Sequence, residues 1–272
     1  MIRSLYSGIS GMRGFQTKLD VIGNNIANVN TVGFKAGRVM FEDILSQTIS
    51  GVTAPIEGER GGVNPKQVGL GVAIAAIDTM HTPGSAMTTN YPLDLRINGD
   101  GFFAIKLTED QEVPFLTRAG NFTLDGNRNL VTKDGMFVTG VGGNIIQLDE
   151  EIDSFMIGQD GRILAINADG DVEETDLQIG VVKVANPGGL EKIGGNLYRA
   201  TPNAHPEDID VMEAGSDENG TGAIIAGQLE MSNVDLTSEF TEMIVAQRGF
   251  QANSRIITTS DELLQEVVNL KR

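Results

Sequence analysis

The sequence predicts an α+β protein: long N- and C-terminal helices pairing as a coiled coil, with a β-rich, sandwich- or roll-like domain between them. Three observations carry this. Apolar residues recur at 3-4 spacing at both ends of the 272-residue chain. The stretch from Gln228 to Arg272 holds no proline and one glycine, Gly249. The middle is broken at short intervals by Asp-Gly and Gly-Gly turn pairs, the rhythm of short strands.

The N-terminal helix is expected over residues 1 to about 29, from Ile2, Leu5, Ile9, Met12, Gln16, Leu19, Ile22, Ile26 and Val29. Gly8, Gly11 and Gly14 each cost up to about 1 kcal/mol relative to alanine, so this helix needs a docking partner. At the other end the stripe reads Leu236, Phe240, Met243, Gln247, Phe250, Ser254, Ile257, Asp261, Leu264 and Val268, along a helix of roughly 50 Å. Each stripe is the natural partner of the other. Gln247, Ser254 and Asp261 interrupt the second, so it is expected to be shared among several subunits rather than closed as a strict two-stranded coil. The candidate assembly interface is therefore Ile2, Leu5, Ile9, Met12, Leu19, Ile22, Ile26 and Val29 with Leu236, Phe240, Met243, Phe250, Ile257, Leu264 and Val268.

Between the helices, Asn24, Asn25, Asn28 and Asn30 read as local backbone caps at a helix exit, or as an inter-subunit or recognition segment. Arg38 to Ile49 is a short helix or an extended arm. Ser50 to Lys66 is loop, Val68 to Asp78 is β-type, and Gly84 to Asn90 is turn-rich. From Leu93 to Tyr198 strands dominate. Leu93–Ile97 and Phe102–Leu107 are expected to form a hairpin across Asn98-Gly99-Asp100-Gly101. Phe115–Arg118, Asn121–Leu124, Leu130–Val131 and Met136–Thr139 follow, with turns at Asp125-Gly126 and Asp134-Gly135 and others to Gly189. Pro202 to Gly222 is an acidic return loop. The domain boundaries follow: 1–31 with 232–272 as a discontinuous helical domain, 32–75 and 205–231 as connections, and 76–204 as the β-rich domain.

The net charge of −17 argues against nucleic acid or an anionic membrane as partner. It is segregated: residues 1–45 carry +2 (five Lys/Arg, three Asp/Glu), 229–272 carry −3 (four against seven), and the middle holds the remaining −16. The absence of cysteine excludes disulfides, thiolate nucleophiles and cysteine-ligated metals. The N-terminus has no signal-peptide h-region or cleavage site, and no window has the apolar length of a membrane span.

No enzyme is expected. His81 and His205 read as surface loop residues, and no nucleophile-elbow, zincin or phosphate-loop motif occurs. Asn167 to Glu173 resembles the start of a calcium loop, but its glycine comes too early for an EF-hand and tight turns explain the same letters. No catalytic residue, metal or cofactor is therefore assigned.

Asn25-Ile-Ala-Asn-Val-Asn-Thr-Val-Gly-Phe34 resembles the ANxxTxGF signature of the flagellar rod and hook proteins, at Asn25, Ala27, Asn28, Thr31, Gly33 and Phe34. Four further stretches match in order: Asn64–Val72, Pro92–Phe103, Thr117–Asp125 continuing to Gly140, and Glu230–Leu236 with the segments that follow to Arg272. The resemblance implies an axial subunit of the bacterial flagellum that polymerises into a helical tube. Its termini would line the channel as coiled-coil helices, with the β-rich domain outside. It further implies type III export without a cleaved signal, and rod, hook and junction proteins as partners. The Asn64–Val72 segment resembles hook proteins and the short length resembles the distal rod protein. The hook, a universal joint carrying motor torque to the filament, is the favoured expectation, with the distal rod as the alternative. A β-rich extracellular binding or adhesin module is the reading from another class, though it would not need apolar stripes at both ends.

Overall fold

The structure is a computed structural model that describes residues 2–55, 61–149, 152, 154–166, 172–206, 209–216 and 219–270, with backbone alone at Ile2, Val172 and Glu173. The chain separates into two compact units, one of Met1–Ala27, Gly37–Thr79 and Asp235–Arg272, the other of Asn28–Ala36 and Met80–Val234.

The first unit holds both long helices. Helix α1 spans Ile2–Ala27, and α2 spans Leu236–Asn269. Asp235 caps α2 by accepting from the Thr237 amide at 2.9 Å. Val29, placed on the first helix by its spacing, lies in the turn after it. Two antiparallel ribbons complete the unit: β1 (Gly37–Asp43) pairs with β4 (Val72–Thr79), and β2 (Ser46–Ser50) pairs with β3 (Lys66–Gly69). Arg38 to Ile49 is thus extended, as its Val, Phe and Ile content favours.

The helices run antiparallel, with Gly8 beside Ile257, Gly11 beside Asn253 and Phe15 against Gly249. A methyl group on Gly249 would stand 2.6 Å from the Phe15 ring, and one on Gly11 would stand 2.8 Å from Asn253 Nδ2. Of the glycines that weaken α1 as an isolated helix, Gly8 and Gly11 thus face the second helix, while a methyl group on Gly14 would stand 2.8 Å from the Phe41 ring of β1. Ala246 and Ser260 are the fully covered residues of α2. Small residues thus make the seam, and the large apolar side chains stand beside it. Lys18 pairs with Glu242 along the same seam. No described helix is long and apolar enough to cross a membrane.

The second unit is all β: β5 (Ala86–Thr88), β6 (Leu95–Asn98), β7 (Phe102–Lys106), β8 (Phe115–Thr117), β9 (Phe122–Leu124), β10 (Leu130–Thr132), β11 (Phe137–Val138), β12 (Ser154–Ile157), β13 (Arg162–Ile166), β14 (Val172–Gln178), β15 (Gly180–Val182), β16 (Glu191–Gly194), β17 (Leu197–Arg199), β18 (Met212–Glu213), β19 (Ala223–Ala226) and β20 (Gln228–Glu230). The largest sheet runs β16-β17-β8-β7-β11-β10-β9, with β15 also on β7 and β18 on β15; β12-β13-β14, β19-β6 and β20-β5 form smaller sheets. Strand β7 is buried on both faces: Phe103 and Ile105 enter the main core with Leu95, Phe122 and Val181, while Phe102 and Ala104 enter a second core with Leu116 and Tyr198.

The hairpin expected between β6 and β7 does not form; β6 pairs with β19 instead. Gly99 and Gly101 take φ of +127° and +137°, a swing only glycine makes freely, and it carries the chain from one sheet into another rather than back along itself. The turns at Asp125-Gly126 and Asp134-Gly135 do join antiparallel neighbours, β9 to β10 and β10 to β11. Of the suggested calcium stretch, Asn167 to Asp171 lie outside the described residues.

Candidate functional site

Two features stand out, a buried ionic clasp in the second unit and an exposed apolar surface on the helices of the first. The clasp centres on Glu230, at the end of β20 and 1% exposed. One carboxylate oxygen accepts from Lys35 Nζ at 2.6 Å and from the Gly84 amide at 2.9 Å; the other meets the Arg118 guanidinium at 3.3 Å. Lys35 also donates to the Thr82 carbonyl at 2.7 Å, and Arg118 to the Gly99 carbonyl at 3.0 Å. Burial pushes the Lys35 ammonium below its ordinary value, and the Glu230 charge opposes this. Arg118 is lowered by burial in the same way, again opposed by Glu230. An ion pair so enclosed needs hydrogen bonds beyond the pairing itself; the Gly84, Thr82 and Gly99 backbone groups provide three, while Arg118 Nε is buried without a partner among the described residues.

One residue of the sequence signature, Gly33, bonds directly to the clasp strand. The Gly33 amide donates to the Glu230 carbonyl at 2.8 Å, and Gly33 takes φ of +69°. A Cβ there would meet the Ala119 backbone nitrogen at 2.6 Å, so the position admits only glycine. Phe34 is buried, with Lys192 Nζ 4.1 Å from its ring centre. Thr31 donates to Asn28 Oδ1 at 3.2 Å, a local contact between side chains. Ala27 is an exposed residue at the end of α1. Asn233 accepts from the Ala36 amide and donates to the Met80 carbonyl, both at 2.8 Å.

Asn25, in the first unit, departs from the local-cap expectation. Its amide group exchanges hydrogen bonds with Gly37, at 2.8 and 3.0 Å, and donates to Glu239 of α2 at 3.0 Å. It is a long-range tie. His81 also departs from expectation. It is no surface loop residue: its ring packs against Phe102 and Tyr198, with centroids 5.5 and 5.3 Å away, and its Nδ1 is buried without a hydrogen-bond partner among the described residues. Burial, with Lys35 and Arg118 nearby, lowers its pKa to about 4. Burial raises the Tyr198 phenol to about 12. The neighbouring Pro83 made this histidine look like loop, whereas the aromatic residues that enclose it are distant in sequence.

Sequence reasoning did not single out Lys35, Arg118, Glu230 or Asn233. The signal was present, because each lies in or directly after a quoted motif.

On the helices, the interface residues assigned from sequence divide between seam and surface. Ile22 is buried, and Leu5, Met12, Leu19, Ile26, Met243, Ile257 and Leu264 are half-buried. Ile9, Leu236, Phe240 (50%), Phe250 (37%) and Val268 are exposed, along with Ile244, Val245, Ile256, Leu263 and Val267. Val29, off the helix, is half-buried; of Ile2 only the backbone is described. The stripe is thus rotated from its expected setting, because Ala246, Gly249 and Ser260 occupy the closest approach. Large apolar residues flank the seam on both sides.

Three family profiles match the chain: flagella basal body rod protein over residues 5–35, the flagellar hook protein FlgE/F/G D1 domain over 96–165, and the flagellar basal body rod FlgEFG protein C-terminal region over 225–270. The flagellar basal-body rod protein FlgG of Bacillus subtilis is 55% identical over 272 residues, covering all of both chains. That of Borreliella burgdorferi is 39% identical, also over all of both chains. This chain belongs to the flagellar rod and hook protein family. The family is a structural component of the flagellum. The hook protein FlgE of Borreliella burgdorferi is 31% identical, but the alignment runs over 449 positions against a chain of 272, leaving 177 without a counterpart here. The expectation that favoured a hook subunit is corrected accordingly, since the full-length match to rod proteins fits the alternative better.

Proposed function

We propose that this chain is a distal-rod subunit of the flagellar basal body, a structural protein whose copies polymerise into the helical drive shaft. The observation that carries the self-assembly is the apolar surface of α2, where Phe240, Val245 and Val267 are about half exposed in the single chain. Large apolar side chains exposed along a helix in this way mark interaction surfaces. Stacked copies would bury it, each large side chain contributing about 1.5–3 kcal/mol when fully covered. Residues 1–31 and 232–272 form the assembly domain, with their stripes continuing between neighbours as coiled-coil seams. The ribbons between Gly37 and Thr79 belong to the same compact unit as these helices, and the chain from Met80 to Val234 is the β-rich part. The rod reading is supported by the full-length 55% identity to a rod protein. The partners are identical copies, other rod, hook and junction proteins, and the type III export apparatus.

Electron microscopy of the assembled full-length chain tests this. Straight tubes are expected, whereas curved, supercoiled tubes would return the reading to a hook subunit. Phe250→Asp is expected to leave the protomer folded and to block tube formation. Tubes that persist in that variant, or after removal of 1–29 or 234–272, would remove the helices from the assembly.

A further inference from the structure

In the first unit a groove of about 420 Å³ lies between α1 and the β3–β4 segment, walled by Tyr6, Ile9, Arg13, Ile44, Leu70 and Ile74 among others. Tyr6 is 67% exposed although it lines an apolar surface. Arg13 is the single charged residue of the lining, and it makes no ion pair among the described residues. An apolar trough with one unpaired cation fits an amphipathic helix that carries an apolar stripe and a carboxylate on its flank.

The last turns of α2 have this make-up. Leu263, Val267 and Leu270 recur at i, i+4 and i+7, and all three are exposed, Leu270 at 86%. Glu262 and Glu266 flank that stripe and make no ion pair among the described residues. The wider charge agrees, with +2 over residues 1–45 against −3 over 229–272. The same chain's α2 cannot fill its own groove. It is a continuous helix to Asn269 and passes Gly8 at Ile257, which leaves Glu266 roughly 13 Å farther along the axis.

We propose that the end of α2 from one copy seats in the α1–β4 groove of a second copy, with Leu263, Val267 and Leu270 on Ile9, Ile44 and Ile74, and Glu266 on Arg13. The inference rests on the self-assembly reading and names the surface that joins one copy to the next.

The chain has no cysteine, so disulfide trapping reports without background. A full-length Tyr6→Cys chain is mixed with a differently tagged Val267→Cys chain under assembly conditions and then oxidised. The control pairs Tyr6→Cys with Gln251→Cys. The expected result is a mixed disulfide at least tenfold above the control, pelleting with the tubes. In parallel, Arg13→Glu is expected to reduce assembly at least tenfold and Glu266→Arg in the same chain to restore it. Tubes with no preference for the 6–267 pair would overturn the docking while leaving self-assembly intact. So would Tyr6→Cys chains linking to one another, which would place groove against groove. Absence of any assembly would remove both readings together.

Discussion

Replacing Glu230 by glutamine keeps the side-chain shape and an acceptor for the Gly84 amide, but deletes the charge between Lys35 and Arg118. Both cations then stay enclosed: the Lys35 side chain is 0% exposed and that of Arg118 is 3%. Breaking a buried pair by removing one partner costs about 3–5 kcal/mol. That is a large share of the roughly 5–15 kcal/mol that stabilises a domain. At about 2–4 °C per kcal/mol for a unit of this size, the melting midpoint should fall by roughly 6–20 °C. The chain has three tyrosines and no tryptophan, and Tyr198 packs on Phe102, which lies 5.2 Å under the Arg118 guanidinium. Near-ultraviolet circular dichroism of tyrosine therefore follows this unit as it melts. Adding Lys35→Met to Glu230→Gln removes one stranded cation and should recover part of the loss. A midpoint shift below about 2 °C for Glu230→Gln, or a double variant whose loss equals the sum of the singles, would refute the clasp as a coupled network.

Three further outcomes follow from the same geometry. His81 has a pKa of about 4 when folded against an ordinary 6.5, so the unfolded chain takes up its proton first. Its contribution is fully present above pH 6.5 and is lost as pH falls from 6.5 to 4, on the order of 1–3 kcal/mol. The difference in denaturant midpoint between the parent and His81→Phe should change across that window and stay flat above it. Gly33→Ala meets the Ala119 backbone at a positive φ and should cost about 2–4 kcal/mol by urea unfolding, whereas Gly51→Ala, with open space around its Cβ, should cost under about 1. Gly249→Leu should wedge α2 from Phe15 and abolish tube formation, with Phe15→Ala in the same chain restoring it in part, read by sedimentation.

The helices and most strands were legible because their periods are local: 3-4 spacing for α1 and α2, and turn pairs bounding β9, β10 and β11. The setting of α2 against α1 was not. A stripe counted from large apolar residues passes over Ala246, Gly249 and Ser260, yet close approach depends on small residues. The β6–β7 hairpin was misread because Asn-Gly-Asp-Gly also serves a chain crossing between sheets, and which it does depends on β19, more than 120 residues away. The clasp is the sharper case. Lys35, Arg118 and Glu230 are ordinary surface residue types, and only the fold makes them one buried group. The motifs that mark the family meet there: Gly33 against Ala119 and Glu230, Phe102 beneath Arg118, and Asn233 holding Ala36 and Met80. Most of the signature is thus spent on holding one subunit together. The surface proposed to join one copy to the next is written in the less distinctive apolar residues of the terminal helices, which is why the chain's family was readable from its motifs while that surface was not.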